Sequence, residues 1–138
     1  MNSKRILVVD DEPTVTRSLK LNLEAMANYE VRTENDPTLA IDAARDFHPQ
    51  LILLDVLMPR LDGGDIAARI HADPELAGTP IVFLTALASN EATGGHAVVD
   101  GSTVYFAKPV DTEELLKCIE QILSPTAQPR HHIFSLHQ

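Results

Sequence analysis

The 138-residue chain has no tryptophan, a single cysteine and 11 basic residues against 20 acidic ones. Each shortage excludes something. The one thiol, Cys118, leaves no internal disulfide, which fits a reducing, cytoplasmic setting. A formal net charge of −9 leaves no broad basic face for direct contact with nucleic acid. It is compatible with a protein partner or a bound cation, and equally with a surface that is acidic for solubility. The first apolar run, Ile6 to Val9, stops at Asp10-Asp11-Glu12. That is too short for a signal peptide or a membrane helix, so no membrane association is expected. No glycine-rich loop follows that run, which disfavours a nucleotide or flavin site. His131 and His132 have no cysteine or acid at metal-site spacing, so zinc is not expected. There is no internal repeat and no low-complexity tract.

What is present is an alternation of short apolar runs and helical stripes. Hydrophobic residues make up 44 % of the chain, enough for one domain with a real core. Strands are expected at Ile6–Val9, Tyr29–Glu34, Leu51–Leu54, Pro80–Leu84 and Val104–Ala107. Between and after them, five helical segments are expected. Val15, Leu19, Leu23 and Met26 form the first stripe, after Pro13 in a first-turn position. Ala40, Ile41, Ala44 and Phe47 form the second, with Asp36 as cap. Ile66, Ala67 and Ile70 form the third, after Gly63-Gly64. Leu115, Leu116, Ile119, Ile122 and Leu123 form the last, with Asp111 as cap and Glu114 three residues on. Strands apolar on both faces call for a parallel sheet covered by helices. The fold class is therefore α/β, a flavodoxin-like, doubly wound (βα)5 three-layer sandwich with strand order 2-1-3-4-5. The domain spans 1–123, and 124–138 is read as a C-terminal tail too short for an output domain.

In such sheets ligands bind beyond the C-terminal strand ends. There the chain places Asp10, Asp11 and Glu12 after strand one, Asp55 after strand three, Thr85 after strand four and Lys108-Pro109 after strand five. Each has an ordinary alternative. The first three acids suit a helix N-terminus, and Asp55 suits a turn. Thr85 suits a strand, Lys108 a solvated surface and Tyr105 simple packing. Their convergence on one edge is the stronger signal. Like charges ~4 Å apart cost on the order of 4 kcal/mol at an effective dielectric near 20. A divalent cation removes that cost, and an oxygen-only donor set suits Mg²⁺. A carboxylate can attack phosphorus, and phosphoryl transfer asks mainly for positioning and charge neutralisation.

These pieces resemble the receiver domain of two-component response regulators. The match lies in Ile6-Leu7-Val8-Val9-Asp10-Asp11-Glu12, Leu53-Leu54-Asp55-Val56-Leu57-Met58-Pro59, Asp62-Gly63, Phe83-Leu84-Thr85-Ala86 and Lys108-Pro109, and covers roughly residues 4 to 123. The resemblance implies a phospho-acceptor at Asp55. It implies Mg²⁺ held by Asp10, Asp11, Asp55 and the Leu57 backbone carbonyl, with Lys108 on the phosphoryl group through a cis bond to Pro109. It implies a switch pair in Thr85 and Tyr105. The donor would be a histidine kinase or histidine phosphotransfer protein. A downstream protein would read the face made by the fourth helix, fifth strand and fifth helix. Such a domain would be a cytoplasmic monomer or weak homodimer. It would catalyse only its own phosphorylation and dephosphorylation. Leu57 and Leu87, two residues past Asp55 and Thr85, would shield the phosphoryl group from water and make it long-lived.

The segment from Ala88 to Thr103 departs from the family pattern. Ser89, Asn90, Thr93 and the pair Gly94-Gly95 replace a robust fourth helix. Paired glycines cost roughly 2 kcal/mol in a helix, so that helix should be short, displaced or mobile. Two other readings stay open. A receiver-like interaction module without phosphoryl turnover would keep the fold and ignore changes at Asp55. A metal-dependent hydrolase would need Asp-x-Asp after strand one and a cap, and the chain has neither.

Overall fold

The computed structural model describes residues 3–58, 62–86, 97–100 and 103–124, with the backbone alone for 97–100. Pro59, Leu87, the stretch 88–96 with its expected helix, and the tail from 125 onward lie outside the described residues. The elements run β1 (Lys4–Val9), α1 (Pro13–Met26), β2 (Tyr29–Glu34), a 3₁₀ turn (Pro37–Leu39) leading into α2 (Ala40–Phe47), β3 (Leu51–Asp55), α3 (Gly63–Ala72), β4 (Ile81–Thr85), β5 (Ala97–Asp100), β6 (Thr103–Ala107) and α4 (Thr112–Leu123). The sheet order is β2-β1-β3-β4-β6-β5. Every pairing is parallel except that of β5 with β6. Counting β6 as the fifth parallel strand, the order is the expected 2-1-3-4-5.

Alternation along the strands divides the core into two layers. Ile6, Val8, Leu51, Leu53, Val82, Leu84, Val104 and Phe106 pack on Leu19 and Leu23 of α1 and on Leu115, Cys118 and Ile119 of α4. Leu7, Val9, Ile52 and Leu54 point the other way, onto Ala40, Ala43 and Ala44 of α2 and Ile66 and Ile70 of α3. Burying one such leucine or isoleucine contributes about 1.5–3 kcal/mol. β3 is buried along its whole length, as a central parallel strand covered on both faces requires. Its C-terminal residue, Asp55, is therefore a carboxylate carried on the most enclosed strand of the sheet.

Two expectations are corrected. Met26 is 43 % exposed and does not join the α1 stripe. It is the last helical residue, past the point where α1 faces the core, and Thr16 is buried instead. Within the expected fourth-helix segment, Ala97–Asp100 forms a strand antiparallel to β6, with Val99 opposite Val104. Val98-Val99 favours extended backbone, and two residues separate the paired strands in sequence, the spacing of a tight hairpin.

On the opposite flank of the sheet, side chains cap the middle of β2. Lys20 Nζ on α1 donates to the Val31 carbonyl at 2.6 Å, and Glu24 Oε2 accepts from the Val31 N–H at 2.9 Å. The two side chains also pair with each other at 3.0 Å. They occupy the hydrogen-bonding positions that a neighbouring strand would fill on β2. The Val31 N–H, then Lys20, holds the Glu24 carboxyl below its usual range.

Candidate functional site

Backbone ladders deliver the polar residues to one rim. Asp10 follows β1, and its N–H reaches the Glu34 carbonyl at 3.2 Å. Asp55 ends β3 opposite Leu84, and the Val56 N–H bonds the Leu84 carbonyl at 2.9 Å. Thr85 ends β4 and is buried. Its carbonyl accepts from the Lys108 N–H at 2.9 Å, which seats Lys108 beside the acids. The Lys108–Pro109 peptide is cis, as the resemblance implies.

The side chains meet. One carboxylate oxygen each from Asp10, Asp11 and Asp55 lies within 4.8 Å of the others. Lys108 Nζ stands 2.7 Å from Asp10 Oδ2, 3.4 Å from Asp55 Oδ2 and 3.5 Å from Glu12 Oε1. One ammonium thus faces three carboxylates. Burial, then the charge on Asp10, pushes the Asp55 carboxyl up to about 6, against the pull of Lys108 and the Leu57 N–H. Burial works against the charge on Lys108, but Asp10, then Asp55 and Glu12, outweigh it and hold the ammonium above the usual lysine range.

Asp10 Oδ2 is buried and, among the described residues, receives no directional hydrogen bond. Its close partner is the Lys108 ammonium, an ion pair at 2.7 Å. An under-served buried carboxylate oxygen in an oxygen-only cluster fits a hard divalent cation, which would take it as a ligand. The cluster opens into a cleft of about 380 Å³ lined by Asp11, Glu12, Asp55, Leu57, Met58, Ala86 and Lys108. Leu57 is 49 % exposed at its lip, and its N–H donates to Asp55 Oδ1 at 3.2 Å. Tyr105 stands apart from the acids. It is half-buried, paired with Phe83 across β4 and β6, and its ring stacks on Phe83 at 5.4 Å between centroids.

Two contributors escape a reading of residue types. Glu12 appeared as a helix-start acid, yet it shares Lys108. Gly63 appeared only before the third helical stripe and in the family-matching pair Asp62-Gly63. Its N–H bonds the Val56 carbonyl at 2.9 Å, folding the post-acceptor loop back on β3. A β-carbon there would run into the Asp55 carbonyl oxygen and stand 2.9 Å from the Val56 Cα. Both partners are backbone, so the contact cannot be relieved by a rotamer change. The Asp62-Gly63 pair was the available sequence signal, since an invitation to close backbone approach is one of the reasons for a glycine.

Comparison with known proteins agrees with this geometry. The family model of the response regulator receiver domain matches residues 6–120. PilH of Pseudomonas aeruginosa is 32 % identical over 120 residues, covering 87 % of this chain and 98 % of that protein. The DNA-binding dual master transcriptional regulator RpaA of Synechocystis sp. is 34 % identical over 122 residues, which are 88 % of this chain and 50 % of RpaA. The chain thus spans about half the length of that regulator. Among solved structures, the chemotaxis protein CheY4 of Vibrio cholerae superposes with a TM-score of 0.74 at 29 % identity, over 88 % of this chain and all of CheY4 (100 %). No helix among the described residues is long and apolar enough to cross a membrane. With its parallel sheet, its cluster of acids and Lys108 on one rim, and a family match over most of its length, the chain belongs to the response regulator receiver domains of two-component signalling.

Proposed function

We propose that Asp55 accepts a phosphoryl group from a phosphohistidine on a histidine kinase or phosphotransfer protein, and that the resulting aspartyl phosphate switches binding of a downstream protein. The observation that carries this reading is the placement of Asp55. It is a buried carboxylate within 4.8 Å of two others and 3.4 Å from Lys108, at the wall of an open cleft.

An Asp55 carboxylate oxygen forms the bond to phosphorus, while the phosphorus–nitrogen bond breaks and its electron pair leaves with the imidazole. Asp10, Asp11, Asp55 and the Leu57 carbonyl would hold Mg²⁺. When bound, that ion supplies positive charge against the phosphoryl oxygens. Lys108 neutralises a second oxygen, and the Thr85 hydroxyl donates to a third. Asp55 must be ionised to attack. Its carboxyl, pushed up to about 6, is mostly ionised at neutral pH, and cation binding favours that form further. Engagement of Thr85 vacates space behind it, and Tyr105 leaves its stack on Phe83 to follow. Leu57, at the lip of the cleft, screens the aspartyl phosphate from water. The domain assignment of 1–123, with 124–138 as a tail, belongs to the same proposal.

The test is intact-mass spectrometry after treatment with acetyl phosphate. The expected result is a gain of one phosphoryl group that needs Mg²⁺ and disappears in Asp55→Asn. No gain in the parent protein with Mg²⁺ present would overturn the reading. Leu57→Glu should shorten the lifetime of the adduct, followed by loss of that mass over time.

A further inference from the structure

We infer that Asn35 is a positioning residue for the metal-binding turn, acting as a two-point clamp on the segment from Asp10 to Pro13; the inference rests on the phosphoryl-acceptor reading above. Asn35 Nδ2 donates to the Asp10 backbone carbonyl at 2.8 Å and to Thr16 Oγ1 at 3.0 Å. An amide NH₂ carries two hydrogens, so both bonds are made at once. A carbonyl oxygen can only accept, so the amide orientation is fixed by its partner. The Thr16 hydroxyl, having accepted from Asn35, spends its own hydrogen on the Pro13 carbonyl at 3.2 Å. A single chain of bonds therefore joins the first residue of the acidic turn to the residue that begins α1.

The rest of the turn is tied to the same frame. Asp10 Oδ1 accepts from the Glu12 N–H at 3.0 Å, and the Asp10 N–H reaches the Glu34 carbonyl. Consecutive residues Glu34 and Asn35 thus hold the N–H and the C=O of Asp10. Asn35 is itself held: Glu34 Oε2 accepts from the Asp36 N–H at 3.0 Å, and Asp36 Oδ1 accepts from the Thr38 N–H at 2.9 Å. Thr16 is 2 % exposed, so its hydroxyl needs a partner. The clamp does not touch Asp10 Oδ2, which faces the Lys108 ammonium at 2.7 Å. The clamp fixes the backbone from which Asp10 and Asp11 project without engaging either carboxylate. Partners that orient metal ligands in this way typically contribute about tenfold or more in affinity.

The test is calorimetric Mg²⁺ titration of the full chain, with melting of the metal-free protein measured in parallel. Asn35→Ala should raise the Mg²⁺ dissociation constant about tenfold while melting temperature changes little, because the residue lies at the surface. Thr16→Val keeps the buried shape and removes the hydroxyl, so it should weaken Mg²⁺ binding as well. Thr16→Ser restores the hydroxyl and should bind like the parent. A purely structural role would lower the melting temperature and leave the affinity unchanged in the folded protein, and that result overturns the inference. So does an Asn35→Ala protein that binds Mg²⁺ as the parent does. A parent protein that binds no Mg²⁺ fails the phosphoryl-acceptor reading and carries this inference down with it.

Discussion

The ends of the strands and the flanks of the sheet obey opposite rules in this molecule. At the C-terminal rim, charged groups crowd around the buried Asp10 and Asp55: three carboxylates share one ammonium, and Asp11 adds a further acid to the cluster. At the flank of β2, by contrast, the Val31 N–H and C=O both find partners in a surface ion pair. At the other flank an extra strand, β5, has been laid against β6. The rim holds unfavourable electrostatics because the interior strands beneath it are rigid enough to impose them. The β2 flank relieves Val31 of both its unpaired backbone groups. Chemistry has been placed where the fold can tolerate strain in charge, and variation where it cannot disturb that placement.

Four variants probe this contrast. The largest effect is expected at Gly63→Ala, where the new methyl meets backbone on β3 and beyond it. Overpacking of this kind costs about 3 kcal/mol, and urea unfolding should show it together with loss of phosphorylation. Asp55→Asn should move stability the other way. The Asp55 carboxyl titrates at about 6 in the fold, above its unfolded range, so the folded state prefers the protonated form. Its contribution is fully present below about pH 4 and is lost as pH rises through about 6. The variant should therefore match the parent at low pH and exceed it by on the order of 2 kcal/mol at pH 7 in the presence of a chelator. Equal stability at both pH values would contradict the assigned burial of that charge.

A smaller loss, about 1 kcal/mol, is expected when Val98 and Val99 are both replaced by glycine, from lower strand propensity on β5. Phosphorylation from acetyl phosphate should be unchanged. A large drop in its rate would show that flank and rim are coupled and would break the comparison. The smallest effect belongs to Glu24→Gln, about 0.5 kcal/mol for an exposed pair. The Glu24 carboxyl lies below its usual range. Its contribution is present above the unfolded carboxylate range and fades as pH falls through its folded value, so parent and variant should converge in acid melts.

Much of the fold was legible because the signals were long or redundant. β3 reads as a strand from Leu51-Ile52-Leu53-Leu54, apolar on both faces, and the structure buries all of it. α4 announces itself by a cap at Asp111, which does accept from the Glu114 N–H at 3.1 Å. The rim residues were legible because four strand ends deliver complementary chemistry to one place. β5 was not legible, since a run as short as Ala97-Val98-Val99 has no periodicity to separate strand from buried helix. Asn35, Thr16 and Gly63 were illegible as functional residues for a different reason. Their contribution lies in backbone groups they touch or spare, and residue type alone does not report a neighbour's carbonyl.

The pairing of Lys20 and Glu24 on Val31 has a consequence for assembly. A sheet with two available flanks can recruit a partner on each side, and every partner can recruit another, so the product has no natural end. Capping Val31 obstructs the middle of one of those sides. Addition of a strand from another copy would then meet less obstruction at the opposite flank, along β5. Such a contact closes on itself at two chains. The ion pair on α1, worth little to the stability of a single molecule, disfavours growth of the sheet beyond such a pair.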